Sequence, residues 1–423
     1  MLRLISSNDL SELTRIFCSE AINTDGDPFA PATILVQSYG TGQWLKLQVA
    51  KQLGIAANLE CLLPAHFIWR LYQKLLDQPN LAPLQDDLLA FRLMAILGKS
   101  TEPAIAGYLS QPGDQDLRYY QLAKQLAQVF EQYLMYRPDW ILAWQQGNDP
   151  VPSNPQSWQA RLWQALIKRE PGLAEVHRAA LHQRLMQTFE FAEKSKHLPQ
   201  RLSIFGLASL APLQLETFQR LAELIPVDIY FMNPCQHYWG DIVSTKIKSH
   251  RSIQQLLSQS PAEHHNDYSH VGNPLLASMG QQGREFLELL LEQDETQTVE
   301  SFLEHHPDTA LGQLQADILD LTFGGEFDID PKPETRTLNS DDQSIQFHSS
   351  HSKSREVEIL LDQILEIVST SDTKPSEIIV MAPDIDEYVP LIRASFTGKI
   401  PFGIADQSRK NQSTVLSSIV TLL

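Results

Sequence analysis

The sequence predicts an α/β protein built on a parallel sheet, and three observations carry that prediction. A short apolar run, a polar turn and a helical pattern open the chain, the same unit recurs soon after, and it returns beyond a long run of amphipathic helices. Parallel strands are buried on both faces, so apolar runs without clean alternation are what such a sheet requires.

Leu2 to Ile5 is the first run, followed by Ser-Ser-Asn-Asp and a helix carried by Leu10, Leu13, Phe17 and Ala21. Ile34 to Val36 is the second, followed by a polar loop from Gln37 in which Gly40 and Gly42 act as punctuation before a helix starting near Trp44. From about Leu81 to Pro199 the pattern is helical throughout, as in LLAFRLMAILG and YYQLAKQLAQVFEQYLMY, which suggests a helical subdomain inserted into the sheet domain. The strand RLSIF, the helix QLETFQRLAEL and the strand VDIYFM then resume the α/β pattern. Next come a polar stretch, KSHRSIQQLLSQSPAEHHNDYSH, read as a surface loop with a helical start, and helical segments at Pro274 to Glu292 and Thr298 to Leu321. The expected organisation is a sheet domain over 1–80 and 200–322, the helical subdomain over 81–199, a linker over 323–343 and the start of a second α/β domain over 344–423. That last domain opens with SIQFHSSHS, the helix REVEILLDQILEIV and the strand EIIVMAP, too few elements to close a sheet, so a longer polypeptide is expected.

Composition narrows the function. The 423 residues have room for about two to four domains. A net charge of −18 gives no bulk attraction for a polyanion, so any contact with nucleic acid must be local. No apolar run approaches the roughly 20 residues that span a bilayer and no secretory leader pattern opens the chain, which points to a cytoplasmic protein without membrane partners. Cys18, Cys61 and Cys235 are too scattered for a disulfide framework or a thiolate zinc site.

Catalytic constellations are weak. A phosphate-binding loop needs glycines and a lysine after a strand, and Ser6 to Asp9 supply neither. Gly98-Lys99-Ser100 ends a helix instead of following a strand, Gly398-Lys399-Ile400 is no better placed, and no acidic pair follows the strand at Phe205. Ser209 lacks the glycines of a nucleophile elbow. His264, His265, His270 and Asp267 resemble metal ligands only by composition, and a polar surface loop accounts for them. Tyr238 and Trp239 suit either base stacking or packing. More informative are Gln37, Tyr39, Thr41 and Gln43 at the carboxyl end of a parallel strand, where open α/β sheets bind ligands, although a solvated helix-capping loop is the ordinary alternative. Gln128, Glu131 and Gln132 share one helical face, with Arg137 at the turn beyond, and a solvated face explains them equally.

The stretches LRLISSNDL, ILVQSYGTGQWL, GIAANLECLLPAHFIW, FEQYLMYRPDW, NPCQHYWGDI, VGNPLLASMG and HSKSREVEIL resemble the RecC family, the gamma subunits of exodeoxyribonuclease V, in family order from residue 2 to beyond 350. The resemblance implies a superfamily 1 helicase-like domain with a degenerate ATP site, the inserted helical subdomain and the start of a second helicase-like α/β domain. It implies a non-catalytic DNA-binding subunit working with RecB-like and RecD-like partners on single- and double-stranded DNA ends. ATP and magnesium would be used by those partners, no cofactor or metal by this chain. The family role is to scan the 3′-terminated strand for the Chi hotspot during repair by homologous recombination. Positions matching the family's scanning residues are Gln37, Tyr39, Gln43, Leu63, Trp69, Gln128, Val129, Glu131, Gln132, Arg137 and Arg178. The family pattern has threonine at Tyr39, aspartates at Gln128 and Glu131 and leucine at Val129, so the tunnel is expected to persist while the sequence it reads differs. Two rival readings are an active superfamily 1 ATPase with an unusual nucleotide site and a protein-interaction scaffold that reads no strand.

Overall fold

The computed structural model describes residues 1–22, 31–76, 86–98, 102–111, 114–148, 157–189, 198–242, 272–292, 297–305, 307–322, 337 and 339–405. They fall into two compact units, Met1–His305 with Leu314–Arg336, and His306–Gln313 with Thr337–Leu423.

The larger unit is organised by six strands, β1 (Leu2–Ser7), β2 (Ala32–Val36), β3 (Leu59–Leu62), β4 (Leu202–Phe205), β5 (Val227–Met232) and β6 (Gln297–Glu300), in the order β3-β2-β4-β5-β1-β6. All the pairings are parallel. Side chains alternate between two cores, as the two-residue period of a strand dictates. Leu2, Leu4, Leu35, Leu202, Ile204, Val227, Ile229 and Phe231 pack on one face, while Ile5, Ile34, Val36, Phe205 and Tyr230 pack on the other.

The second face is covered by α1 (Leu10–Glu20) and α2 (Tyr39–Leu53) through Leu13, Phe17, Leu45 and Val49. Helix α2 corrects the expected loop. Ser38 caps it by accepting the Thr41 amide at 3.1 Å, so the helix starts at Tyr39 and Gly40 and Gly42 lie inside it. Gly42 is needed for contact, since a Cβ there would stand 2.9 Å from Cys61 Cβ on β3.

The first face is covered by α3 (Pro64–Leu75), α10 (Arg178–Thr188) and α11 (Pro212–Leu224), with Phe67, Leu71, Leu181, Leu185 and Phe218 in its core. Between α3 and β4 the described elements are helical: α4 (Asp86–Leu97), α5 (Pro103–Leu109), α6 (Gln115–Tyr136), α7 (Pro138–Gln145), α8 (Ser157–Arg169), α9 (Leu173–Val176) and α10. They have a core of their own around Leu93, Phe130, Ile141 and Trp163. Helix α6 buries Ala123, Leu126, Ala127, Phe130 and Leu134, a stripe at helical spacing that leaves Gln128 and Gln132 exposed on the outer side.

A further expected segment differs. Thr298 to Leu321 is not one helix: its start is β6, the described residues 301–305 form no helix or strand, and among the described residues α14 (Ala310–Leu319) is the helical part. The edge position explains it, because β6 pairs with β1 through Arg3↔Gln297 to Ser6↔Glu300 while its own side chains stay exposed. The preceding helices are α12 (Pro274–Met279) and α13 (Gln281–Leu291), as expected. Trp239 is core, its indole N–H donating to Asn233 Oδ1 at 2.9 Å, while Tyr238 is exposed. The stretch read as a surface loop and most of the expected linker lie outside the described residues.

The smaller unit contains α15 (Lys353–Thr370) and α16 (Ile385–Phe396), joined by a core of Val357, Leu361, Ile364 and Phe396. The expected strand EIIVMAP does not form among the described residues. Ile379 and Met381 are 80% and 84% exposed, and among the described residues no neighbouring strand supplies the ladder that a β-branched run needs.

Candidate nucleic-acid interface

The turn after β1 is closed by the chain's own groups. Asp9 caps α1, its carboxylate accepting the Glu12 amide at 2.9 Å, so a negative charge occupies the helix terminus that a phosphate would need. Asn8 Nδ2 donates to the Leu303 carbonyl at 2.8 Å and Asn8 Oδ1 accepts the Leu303 amide at 2.9 Å. Ser301 donates its amide to Ser6 O at 3.0 Å and its hydroxyl to Glu12 at 2.6 Å. Arg15, and then Ser301, hold the Glu12 carboxyl at about 2, so it is ionised at neutral pH. Titration with a fluorescent ATP analogue and magnesium is therefore expected to give no saturable binding in the micromolar range. Saturable micromolar binding that maps to Ser6–Asp9 would contradict this account of the turn.

The ends of β2 and β3 are differently furnished. These strands are adjacent and parallel, with Leu35 opposite Leu62, so the helices that follow them begin at the same end of the sheet. Helix α2 is capped by the neutral Ser38 and α3 has no side-chain cap at Leu63, and neither helix has an acidic residue in its first turn to offset its dipole. That is local positive potential on an acidic chain. Gln37 and Gln43 are exposed beside Tyr39, which is 65% exposed. The Tyr39 hydroxyl lies 3.2 Å from His66 Nδ1. Trp69 meets Tyr72 edge-on at 5.5 Å, and burial followed by the opposing field of Arg178 leaves the Tyr72 phenol above its usual range.

Arg178 connects this end to the helical segment. Its guanidinium pairs with Glu131 at 2.8 Å and donates to Met135 Sδ at 3.3 Å. His177 positions it: as the cap of α10, its Nδ1 accepts the Ala180 amide at 3.2 Å. Burial pushes this imidazole down to about 4, so it is neutral and its Nε2–H donates to Gln145 Oε1 at 3.1 Å.

Of the positions singled out in the sequence, Gln37, Tyr39, Gln43, Leu63 and Trp69 therefore share the ends of β2 and β3 and the helices that follow. Glu131 is joined to α10 by Arg178, and Gln128, Val129 and Gln132 are its neighbours on α6. Arg137 is occupied differently, forked onto Asp139 at 2.8 Å and stacked 4.0 Å above Trp140. His66 and His177 were missed, because each takes its meaning from a neighbour distant in sequence. Cys18 and Cys235 are buried and Cys61 half-buried, all free thiols. Among the described residues no cluster of His, Cys, Asp and Glu is placed to hold a metal, and His264, His265, Asp267 and His270 lie outside them. Among them, too, no helix is long and apolar enough to cross a membrane.

Fold and surface together define a parallel α/β domain with a self-closed first turn and a glutamine-rich, aromatic surface at the carboxyl ends of β2 and of the edge strand β3. The RecC N-terminal domain family matches residues 2–321, and the chain belongs to that family. It is 35% identical over its whole length to the RecBCD enzyme subunit RecC of Escherichia coli (strain K12), covering 41% of that protein. It is 34% identical to the subunit of the same name from Haemophilus influenzae over 94% of the chain and 40% of the relative. With the Mycolicibacterium smegmatis subunit the identity is 31% over 88% of the chain and 32% of the relative. The chain thus spans about two fifths or less of these relatives' lengths.

Proposed function

We propose that the chain is a non-catalytic, DNA-binding part of a RecBCD-type helicase-nuclease, cytoplasmic, acting in double-strand break repair by homologous recombination. Its partners are RecB-like and RecD-like subunits, which use the ATP and magnesium. In this reading the larger unit is a helicase-like domain with an inserted helical subdomain at 81–199, and the residues from 344 begin a second helicase-like domain. Its task is to scan the 3′-terminated strand for a Chi-type hotspot. The observation that supports this most is the grouping of Gln37, Gln43, Tyr39 and Trp69 at the ends of β2 and β3 with the Arg178–Glu131 pair. Neutral amides offer both donor and acceptor to base edges, and flat rings stack on any base, so this surface suits a single strand without a net positive charge. A closed phosphate turn in the same domain supports leaving the motor to other subunits.

The reading is tested by photocrosslinking. A 3′-terminated strand carrying 5-iododeoxyuridine at successive positions, irradiated in the holoenzyme that contains this polypeptide, is expected to give adducts on the peptides of Tyr39 or Trp69. Efficient crosslinking confined to partner subunits at every position would contradict it.

A further inference from the structure

We propose that His66 is a base-reading residue of the same surface, held in its working tautomer by Tyr39. The inference rests on the reading of that surface as a strand interface. Leu63, His66 and Trp69 follow one another at three-residue spacing from the cap into α3, so they form a row along one side of the helix. His66 stands in the middle of that row and is exposed. Tyr39, the first residue of α2, reaches across to it: hydroxyl to Nδ1 3.2 Å, ring centroids 6.5 Å apart.

The chemistry follows from that one hydrogen bond. With the phenol donating to Nδ1, the imidazole proton resides on Nε2, and the ring presents an N–H donor on an exposed face. Such a donor suits the acceptor atoms of a base edge, N7 of a purine above all. The Tyr39 hydroxyl is thereby a positioning group. This gives the tyrosine a role that a simple stacking surface would not.

The test compares His66→Ala, His66→Gln, Tyr39→Phe and Gln43→Ala in the holoenzyme, reading hotspot-dependent cleavage per unwinding event. His66→Ala is expected to lower that ratio at least about 5-fold, the loss of one base-edge contact. Tyr39→Phe should fall in the same direction, and His66→Gln, which keeps an N–H donor, should recover most of the response. A wild-type ratio in His66→Ala beside a reduced one in Gln43→Ala overturns the role of His66 and leaves the interface standing. Wild-type ratios in both overturn the interface itself. If His66→Ala weakens hotspot and non-hotspot strands equally, the contact is to phosphate and base reading is refuted.

Discussion

Replacing Asp228 by alanine is expected to lower the thermal midpoint by about 6 °C, from a loss of about 3 kcal/mol at roughly 2 °C per kcal/mol in a large domain. Asp228 lies on β5 opposite Arg3 of β1, and its side chain is almost wholly buried. Arg3 Nε reaches Oδ1 at 2.6 Å and Arg201 Nε stands 3.6 Å from Oδ2. The hydrogen bond to Asp228 raises the Arg3 guanidinium above its ordinary value against the opposing effect of burial. Removing the carboxylate leaves two cations without their shared anion at the centre of a sheet, and that cost exceeds the net worth of the intact pair. The lower end of the range applies because Arg3 keeps Glu20 at 2.9 Å and is a fifth exposed. Asp228→Asn, which retains an acceptor for Arg3, should cost about half as much. A midpoint within about 1 °C of wild type for the alanine variant would mean that water already solvates this carboxylate.

The same strands show what a sequence discloses and what it withholds. β1, β2, β4 and β5 are inner strands, so burial on both faces wrote them as apolar runs. The edge strands carry no such mark. β3, Leu-Glu-Cys-Leu, is half-buried throughout, and β6, Gln-Thr-Val-Glu, is exposed and was read into a helix. Each exists because its neighbour offers a ladder, which is a tertiary fact. The converse error fell on Glu377 to Pro383, whose β-branched residues announce a strand that no described neighbour completes. Gly42 was read as a loop residue, because a glycine kept for close approach to Cys61 looks the same in sequence as one kept for a turn.

The proposed interface was legible only in part. Gln37 and Gln43 stood out as amides at a strand end, whereas Leu63, Trp69 and Arg178 had no local signature and came from the resemblance to a family. The ion pair of Arg178 with Glu131 and the bond of His177 to Gln145 depend on packing between helices far apart in the chain. Gln128 and Gln132 were correctly placed on one face of a helix, which says nothing of what that face meets.

Hotspot reading should fail while unwinding survives when the surface amides and rings are removed. Gln43 is exposed on the first turns of α2, and Trp69 is only half-buried, packing one edge against Tyr72. Gln43 carries little of the fold, and Trp69 packs against the core while staying partly exposed. Loss of a single base-edge contact costs about 1 to 3 kcal/mol of discrimination, about a 5- to 150-fold change, and two such losses at separate points compound. Arg178→Ala is expected to act more broadly, because it also removes the ion pair that joins α6 to α10. Arg137, held by Asp139 and Trp140, should show the smallest effect of the four. The decisive measurement follows single DNA molecules carrying the hotspot through the holoenzyme with Gln43→Ala, Trp69→Ala, Arg137→Ala and Arg178→Ala, recording unwinding rate and hotspot-dependent cleavage together. Unwinding at the wild-type rate with cleavage response reduced at least about 5-fold in the Gln43 and Trp69 variants is the predicted result. A full response in both, or a collapse of unwinding in step with it, would contradict the assignment of strand reading to this surface.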